Sequence, residues 1–278
     1  MNKHRLLPLF LLLGFGYAFL YVPIVSLIVY SFNESRLVTV WSGFSVKWYG
    51  ELFHNEKILT AAWLSLRIAI LNATLSTIIG TAAALALVRF RRLRTRPLLE
   101  GLVLAPLVLP EVMIGLALLL LFVSLESLTG WPQGRGMLTI TIAHTSFSIS
   151  FVTVVMRARI AEFDRSLEEA AMDLGAPPVK TFFLVTLPII TPALLAAWLL
   201  AFTLSIDDLI VASFTSGPSA STLPIVVYSS VRLGVSPQIN ALATLFVLVV
   251  GSCVALAGWL LHRREAQRKA PGRQSDLV

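Results

Sequence analysis

Ser166-Leu-Glu-Glu-Ala-Ala-Met-Asp-Leu-Gly-Ala-Pro-Pro178 reads as a short helix with both ends specified. Ser166 and Glu169 have capping-box spacing: the Ser166 hydroxyl accepts from the backbone N–H of residue 169, and Glu169 reaches back. Glu168 and Glu169 fall in the first turn, where the helix dipole favours acids. Gly175 stands where a left-handed residue closes a helix, and Pro177-Pro178 block continuation. The spacing therefore predicts about eight helical residues, too few to be stable alone in water. Such a helix needs a surface to dock on, and Ala170 and Ala171 give it a small face for close approach.

Apolar stretches flank this polar segment. One precedes it at about 138–156 and one follows at about 187–213. Outward along the chain lie four more, at about 6–31, 61–88, 98–123 and 238–261. Each is long enough to cross a bilayer with some tilt. The first follows a basic head, Met1–Arg5, but is too long for a signal peptide and has no small-residue cleavage site after it, so it reads as a retained anchor. The expected architecture is all-α, a single polytopic domain over 1–278 with six transmembrane helices and a loop at about 164–188.

Composition excludes two broad classes of protein. Hydrophobic residues make up 56% of the 278 and charged residues 13%, with mean hydropathy +0.82. A soluble domain carries about 25% charge, so an ordinary cytosolic enzyme and a disordered chain are both ruled out. The net charge of +7 suggests nucleic acid until its distribution is seen. Of 22 Lys and Arg, sixteen lie in 1–5, 89–96, 157–180 and 262–278, and five in the alternate segments. By the positive-inside rule both termini are expected in the cytoplasm, with the loop 164–188 on the same side. The run Arg89–Arg96 then anchors the chain rather than binding nucleic acid. Trp41, Trp48, Tyr49, Trp63, Trp131 and Tyr228 gather at the opposite boundaries, as an interfacial belt does.

Chemical motifs are sparse. The chain has no GxxxxGK phosphate loop, HExxH pair or GxSxG elbow. Cys253 is alone, and four scattered histidines have no metal-ligand spacing, so neither a metal nor a catalytic residue is expected. The sequons at Asn33 and Asn72 carry little weight, since Asn72 falls within a span. His144, also within a span, reads either as a proton relay or as a residue bonded to a neighbouring helix.

Glu169-Ala170-Ala171, three residues, Gly175, nine residues, then Val185-Thr-Leu187-Pro188 resembles the EAA loop of ABC importer permeases, with Val185 in place of Ile. "LVTVWSGFSVKWYGEL", "LAFTLSIDDLIVASF" and "VRLGVSPQINALAT" extend the likeness to polyamine permeases, most similar to the second permease of putrescine systems, with spermidine/putrescine permeases as near neighbours. The resemblance implies a type I ABC importer permease (MetI-like) fold. It implies a bacterial inner-membrane complex containing a second permease, two copies of an ATPase and a periplasmic polyamine-binding protein. ATP would bind the ATPase, leaving no cofactor in this chain. Glu169, Ala170, Ala171, Gly175, Leu187 and Pro188 would then form the ATPase coupling element.

The membrane acids give an independent handle. A carboxylate at mid-span costs roughly 2.5–3.5 kcal/mol on insertion scales and normally faces a cavity or partner. Counted from Leu98, Glu111 lies ~20 Å along its span; counted from Leu187, Asp207 and Asp208 lie ~30 Å along theirs. Glu111, Asp207 and Asp208, with Ser205 near Asp208 and Trp48 as an aromatic face, are the candidate path for an alkylammonium ion. Plain interfacial acids would fit the same positions. A stand-alone proton-coupled amine carrier using Glu111, His144 and the Asp pair would also explain the acids, but not the loop.

Overall fold

The computed structural model describes residues 3–37, 40–90, 94–218, 220–234 and 236–269. Met1, Asn2, Arg91 and Arg92 of the basic segments lie outside them, as does the tail from 270. Among the described residues the chain is helical: α1 (Lys3–Ser31), α2 (Lys47–Phe53), α3 (Glu56–Arg89), α4 (Arg96–Val108), α5 (Glu111–Thr129), α6 (Met137–Ala161), α7 (Ser166–Asp173), α8 (Pro178–Thr181), α9 (Leu187–Ile206), α10 (Ile210–Thr215), α11 (Leu223–Leu233) and α12 (Pro237–Lys269). A π-turn, Phe182–Thr186, joins α8 to α9. Five of these segments are long and apolar enough to cross a membrane: Phe10–Ser31, Glu56–Arg89, Glu111–Thr129, Met137–Ala161 and Pro178–Ile206. The apolar part of α12, Pro237–Ser252, is shorter, so the expected six is approximate.

Two of the expected spans are interrupted. The stretch 98–123 is two helices, because Pro110 has no N–H to continue α4 and forces Leu109 into an extended conformation (φ −75°, ψ 140°). The stretch 187–213 stops at Ile206 and restarts at Ile210. Here Asp208 draws the next backbone amides to its own carboxylate: Val211 N–H lies 3.3 Å and Ala212 N–H 2.7 Å from its oxygens. A side chain that offers the backbone such bonds competes with helix continuation.

The chain divides into two compact units: Met1–Glu56 with Ser229–Val278, and Lys57–Tyr228. In the first, α12 packs against α1 and α2. Asn33 organises the segment between α1 and α2. Its amide donates to Val40 O (2.7 Å) and its Oδ1 accepts from Ser42 N–H (3.0 Å). Along α1, apolar side chains from Phe10 to Val25 are exposed, as a lipid solvent permits.

The second unit is built on α6, with α9 against it. Its core joins Ala73 and Ala84 of α3, Val152, Met156 and Ile160 of α6, and Ile190, Ala197 and Ala201 of α9. The α3–α6 crossing is close because Gly80 has no side chain: a Cβ there would stand 2.7 Å from Val152 Cγ1. Asn72, fully buried, donates to Ala201 O (2.8 Å) and Ser148 Oγ (3.2 Å), tying α3 to α9 and α6.

Candidate functional site

The loop between α6 and α9 is shaped by local bonds. Asp164, not Ser166, opens α7: its Oδ1 accepts the Ser166 backbone N–H at 3.0 Å, while Glu169 N–H bonds to Arg165 O at 3.1 Å. The expected capping box is therefore absent, and Ser166 sits inside the first turn. The reason is that Asp at 164 already offers a carboxylate two residues ahead of the amide that needs it. Those bonds, first from the Ser166 N–H and then from its hydroxyl, hold the Asp164 carboxyl below its ordinary range. At the far end Gly175 N–H bonds to Met172 O (2.8 Å) and Ala176 N–H to Ala171 O (3.1 Å). This is a Schellman pair, and Gly175 has the positive φ it requires, +88°.

Eight residues long, α7 has no fully buried residue. Glu169 and Ala170 are exposed and Ala171 is half-buried. Leu167, Met172 and Leu174 add exposed apolar surface, Leu174 at 91%. The neighbouring acid is different. Glu168 pairs with Arg89, the last residue of α3, and accepts from Thr186, the last of the π-turn. Leu187 and Pro188 follow as the first turn of α9, with Leu187 packed against the core cluster.

The second group of candidate residues lies at the α9–α10 break. His144 of α6 stands between two of them: its Nδ1 is 2.7 Å from Ser205 Oγ and its Nε2 is 3.0 Å from Asp208 Oδ2. The second is a close polar contact that does not meet hydrogen-bond geometry. The side chains of His144 and Asp208 are 1% and 6% exposed. Asp208 and Ser205 are thus occupied inside the unit. Asp207 follows the last turn of α9 and is exposed. The pair expected to act together is divided by the break.

Glu111 is not in mid-span. It is the first residue of α5, after the Pro110 break, and is exposed. Helices α5 and α10 pack together at Gly115, where a Cβ would come within 2.6 Å of the Phe214 ring. Trp48 belongs to the other unit. Only 3% exposed, it donates from Nε1 to Asn33 O at 2.6 Å, with Lys47 Nζ 4.8 Å above its ring. It is a strut of the Asn33 segment and offers no free aromatic face. The sequence raises His144 only as a relay of the alternative carrier or a bond between helices, and Glu168 only as a first-turn acid. His144 carries a signal, as an ionisable side chain within a span. Glu168 carries none beyond its place in the first turn, since its partners lie 79 and 18 residues away.

Among the described residues no cluster of His, Cys, Asp and Glu could hold a metal ion. The arrangement is polar at its helix ends. It provides exposed carboxylates at two helix breaks and a capped, unburied helix at the other end of α9.

The family model for the binding-protein-dependent transport system inner membrane component matches residues 76–267. The chain is 55% identical over 253 residues to the putrescine transport system permease protein PotI of Escherichia coli strain K12, covering 91% of this chain and 90% of that one. It is 40% identical over 261 residues to the spermidine/putrescine transport system permease protein PotC of the same strain, covering 94% of each. Among solved structures it is similar to a bacterial ABC transporter involved in the import of the acidic polysaccharide alginate, with TM-score 0.71 and 19% identity over 93% of this chain and 98% of that one. The MetNI methionine ABC transporter aligns with TM-score 0.57 and 15% identity over 74% of this chain and 95% of that one. These last two speak to the fold alone.

Proposed function

This chain belongs to the binding-protein-dependent transport system inner membrane components, and we propose that within them it is a permease subunit of a bacterial polyamine importer, with putrescine as its substrate. The family is one of transport subunits rather than enzymes. The observation that carries the substrate is the identity of 55% to a putrescine permease, sustained over nine-tenths of both chains. Exposed acids at the breaks suit this cargo: Asp207 and Glu111 present carboxylates to an alkylammonium dication without a buried counter-charge in the way.

In this reading both termini and the loop 164–188 face the cytoplasm, since the basic residues divide sixteen to five. An ATPase dimer binds ATP and docks on α7 through Ala170, Ala171 and the exposed apolar side chains beside them. A second permease completes the path, and a periplasmic binding protein delivers the polyamine. The stand-alone proton-coupled carrier accounts for neither the capped, unburied α7 nor the relatives. Its proposed relays also differ in setting, because His144 and Asp208 are enclosed while Glu111 is exposed.

The test is co-purification of the chain with its ATPase and sister permease, then uptake of labelled putrescine into vesicles with unlabelled putrescine or spermidine as competitor. Putrescine uptake displaced more readily by putrescine than by spermidine supports the assignment. Stronger displacement by spermidine moves the chain to the spermidine/putrescine class.

A further inference from the structure

We propose that Glu168, rather than its motif neighbour Glu169, is the positioning residue that transmits movement of α7 to the membrane spans. This rests on the reading that the loop 164–188 meets the ATPase. A helix of eight residues, none of them fully buried, gains little from apolar packing. The Asp164 bond and the Gly175 turn shape its two ends, but both are local and attach it to nothing distant. Glu168 makes the long-range polar attachment. Its Oε1 accepts from Arg89, where α3 ends, and from Thr186, one residue before α9 begins.

One carboxylate oxygen therefore gathers the ends of two spans and the loop helix. The junction is sheltered: the Glu168 side chain is 12% exposed, Arg89 29%, and Thr186 as a residue 1%. Such a pair resists parting, because the enclosed Glu168 carboxylate would be left poorly solvated. Glu169, one residue on, points about 100° away around the helix and is exposed. A push on the outer face of α7 is then delivered at Glu168 to α3 and α9 together. The far end of α9 is the break that carries Asp207.

The test uses the full complex in proteoliposomes and reads three quantities: ATPase retained, ATP hydrolysed, and polyamine taken up. Glu168→Ala should keep the ATPase bound, because the side chain faces its own spans. Uptake per ATP should fall about tenfold or more, the scale on which coupling residues act. Thr186→Val, which removes one arm without changing shape, should lower the same ratio by a few-fold. The exchange Glu168→Arg with Arg89→Glu should recover much of what Glu168→Arg alone loses, a rescue that mere loss of packing would not give. An unchanged ratio in Glu168→Ala, beside an Ala171→Asp that detaches the ATPase, overturns the proposal while the loop reading stands. Loss of the ATPase from Glu168→Ala also overturns it, by placing Glu168 on the partner's side. Ala171→Asp that keeps ATPase and uptake intact overturns the loop reading and the proposal with it. If Glu168→Ala fails to reach the membrane, Thr186→Val and the exchange decide. A wild-type ratio in the first and no rescue in the second refute the role.

Discussion

His144 stands between Ser205 and Asp208, within 2.7 Å of one side chain and 3.0 Å of the other, although 61 residues separate it from the nearer in sequence. That relationship gives the two adjacent aspartates different work. Asp208 is enclosed, faces His144 and caps α10, while Asp207 is exposed at the end of α9.

Single replacements should separate the two. Asp207→Asn keeps the shape and loses the charge, so polyamine uptake should weaken while complex yield stays unchanged. Asp208→Ala should act on the fold, because it removes the acceptor for the Val211 and Ala212 amides and the contact with His144. A lost cap costs roughly 1 kcal/mol, seen as a lower melting temperature of the purified complex. Equal effects of the two variants on uptake, with no change in melting, would contradict this division.

Replacing His144 by Ala leaves the buried Ser205 hydroxyl and the Asp208 carboxylate without their neighbour. An unsatisfied buried polar group costs about 1–3 kcal/mol. The complex should melt at lower temperature, and the variant should be rescued in part by Ser205→Ala, which removes one of the stranded groups. Melting unchanged by His144→Ala would show that the three side chains do not depend on one another.

Gly175 offers a cleaner backbone test, because nothing lies within 4 Å of where its Cβ would be. The cost of a side chain is then conformational, roughly 1–2 kcal/mol at a left-handed φ. Gly175→Val should loosen the ATPase in co-purification. Gly175→Asn should do so less, since Asn tolerates that region. Equal retention in both would show that the turn does not set the loop.

The sidedness is checked by cysteine labelling in a background lacking Cys253. A membrane-impermeant reagent added outside should reach a cysteine at exposed Ser221 and miss one at exposed Thr95. The reverse pattern would invert the topology.

Much of the fold is legible in the sequence because it is local. The spans show in hydropathy, and the loop helix shows in Gly175 and the paired prolines, which act within a turn or two. The interruptions are also written there, at Pro110 and at Asp207-Asp208, but long apolar runs on either side conceal a break of a few residues. Ser166 has the spacing of a cap, yet Asp164 lies two residues ahead, accepts the Ser166 N–H and starts the helix earlier. Trp48 has the look of an interfacial ring, and its bond to Asn33 O depends on how residues 33–48 turn back. The links His144–Asp208 and Glu168–Arg89 join distant segments, and no local spacing announces them.

The central claim is that ATP, spent by a partner seated on α7, drives polyamine through this chain. It is tested most directly by labelled putrescine uptake into proteoliposomes of the full complex, with ATP on the loop side and binding protein on the other. Uptake should require ATP, survive a protonophore, and vanish in Ala171→Asp. Uptake that needs no ATP, follows an imposed proton gradient and persists in Ala171→Asp would contradict the account.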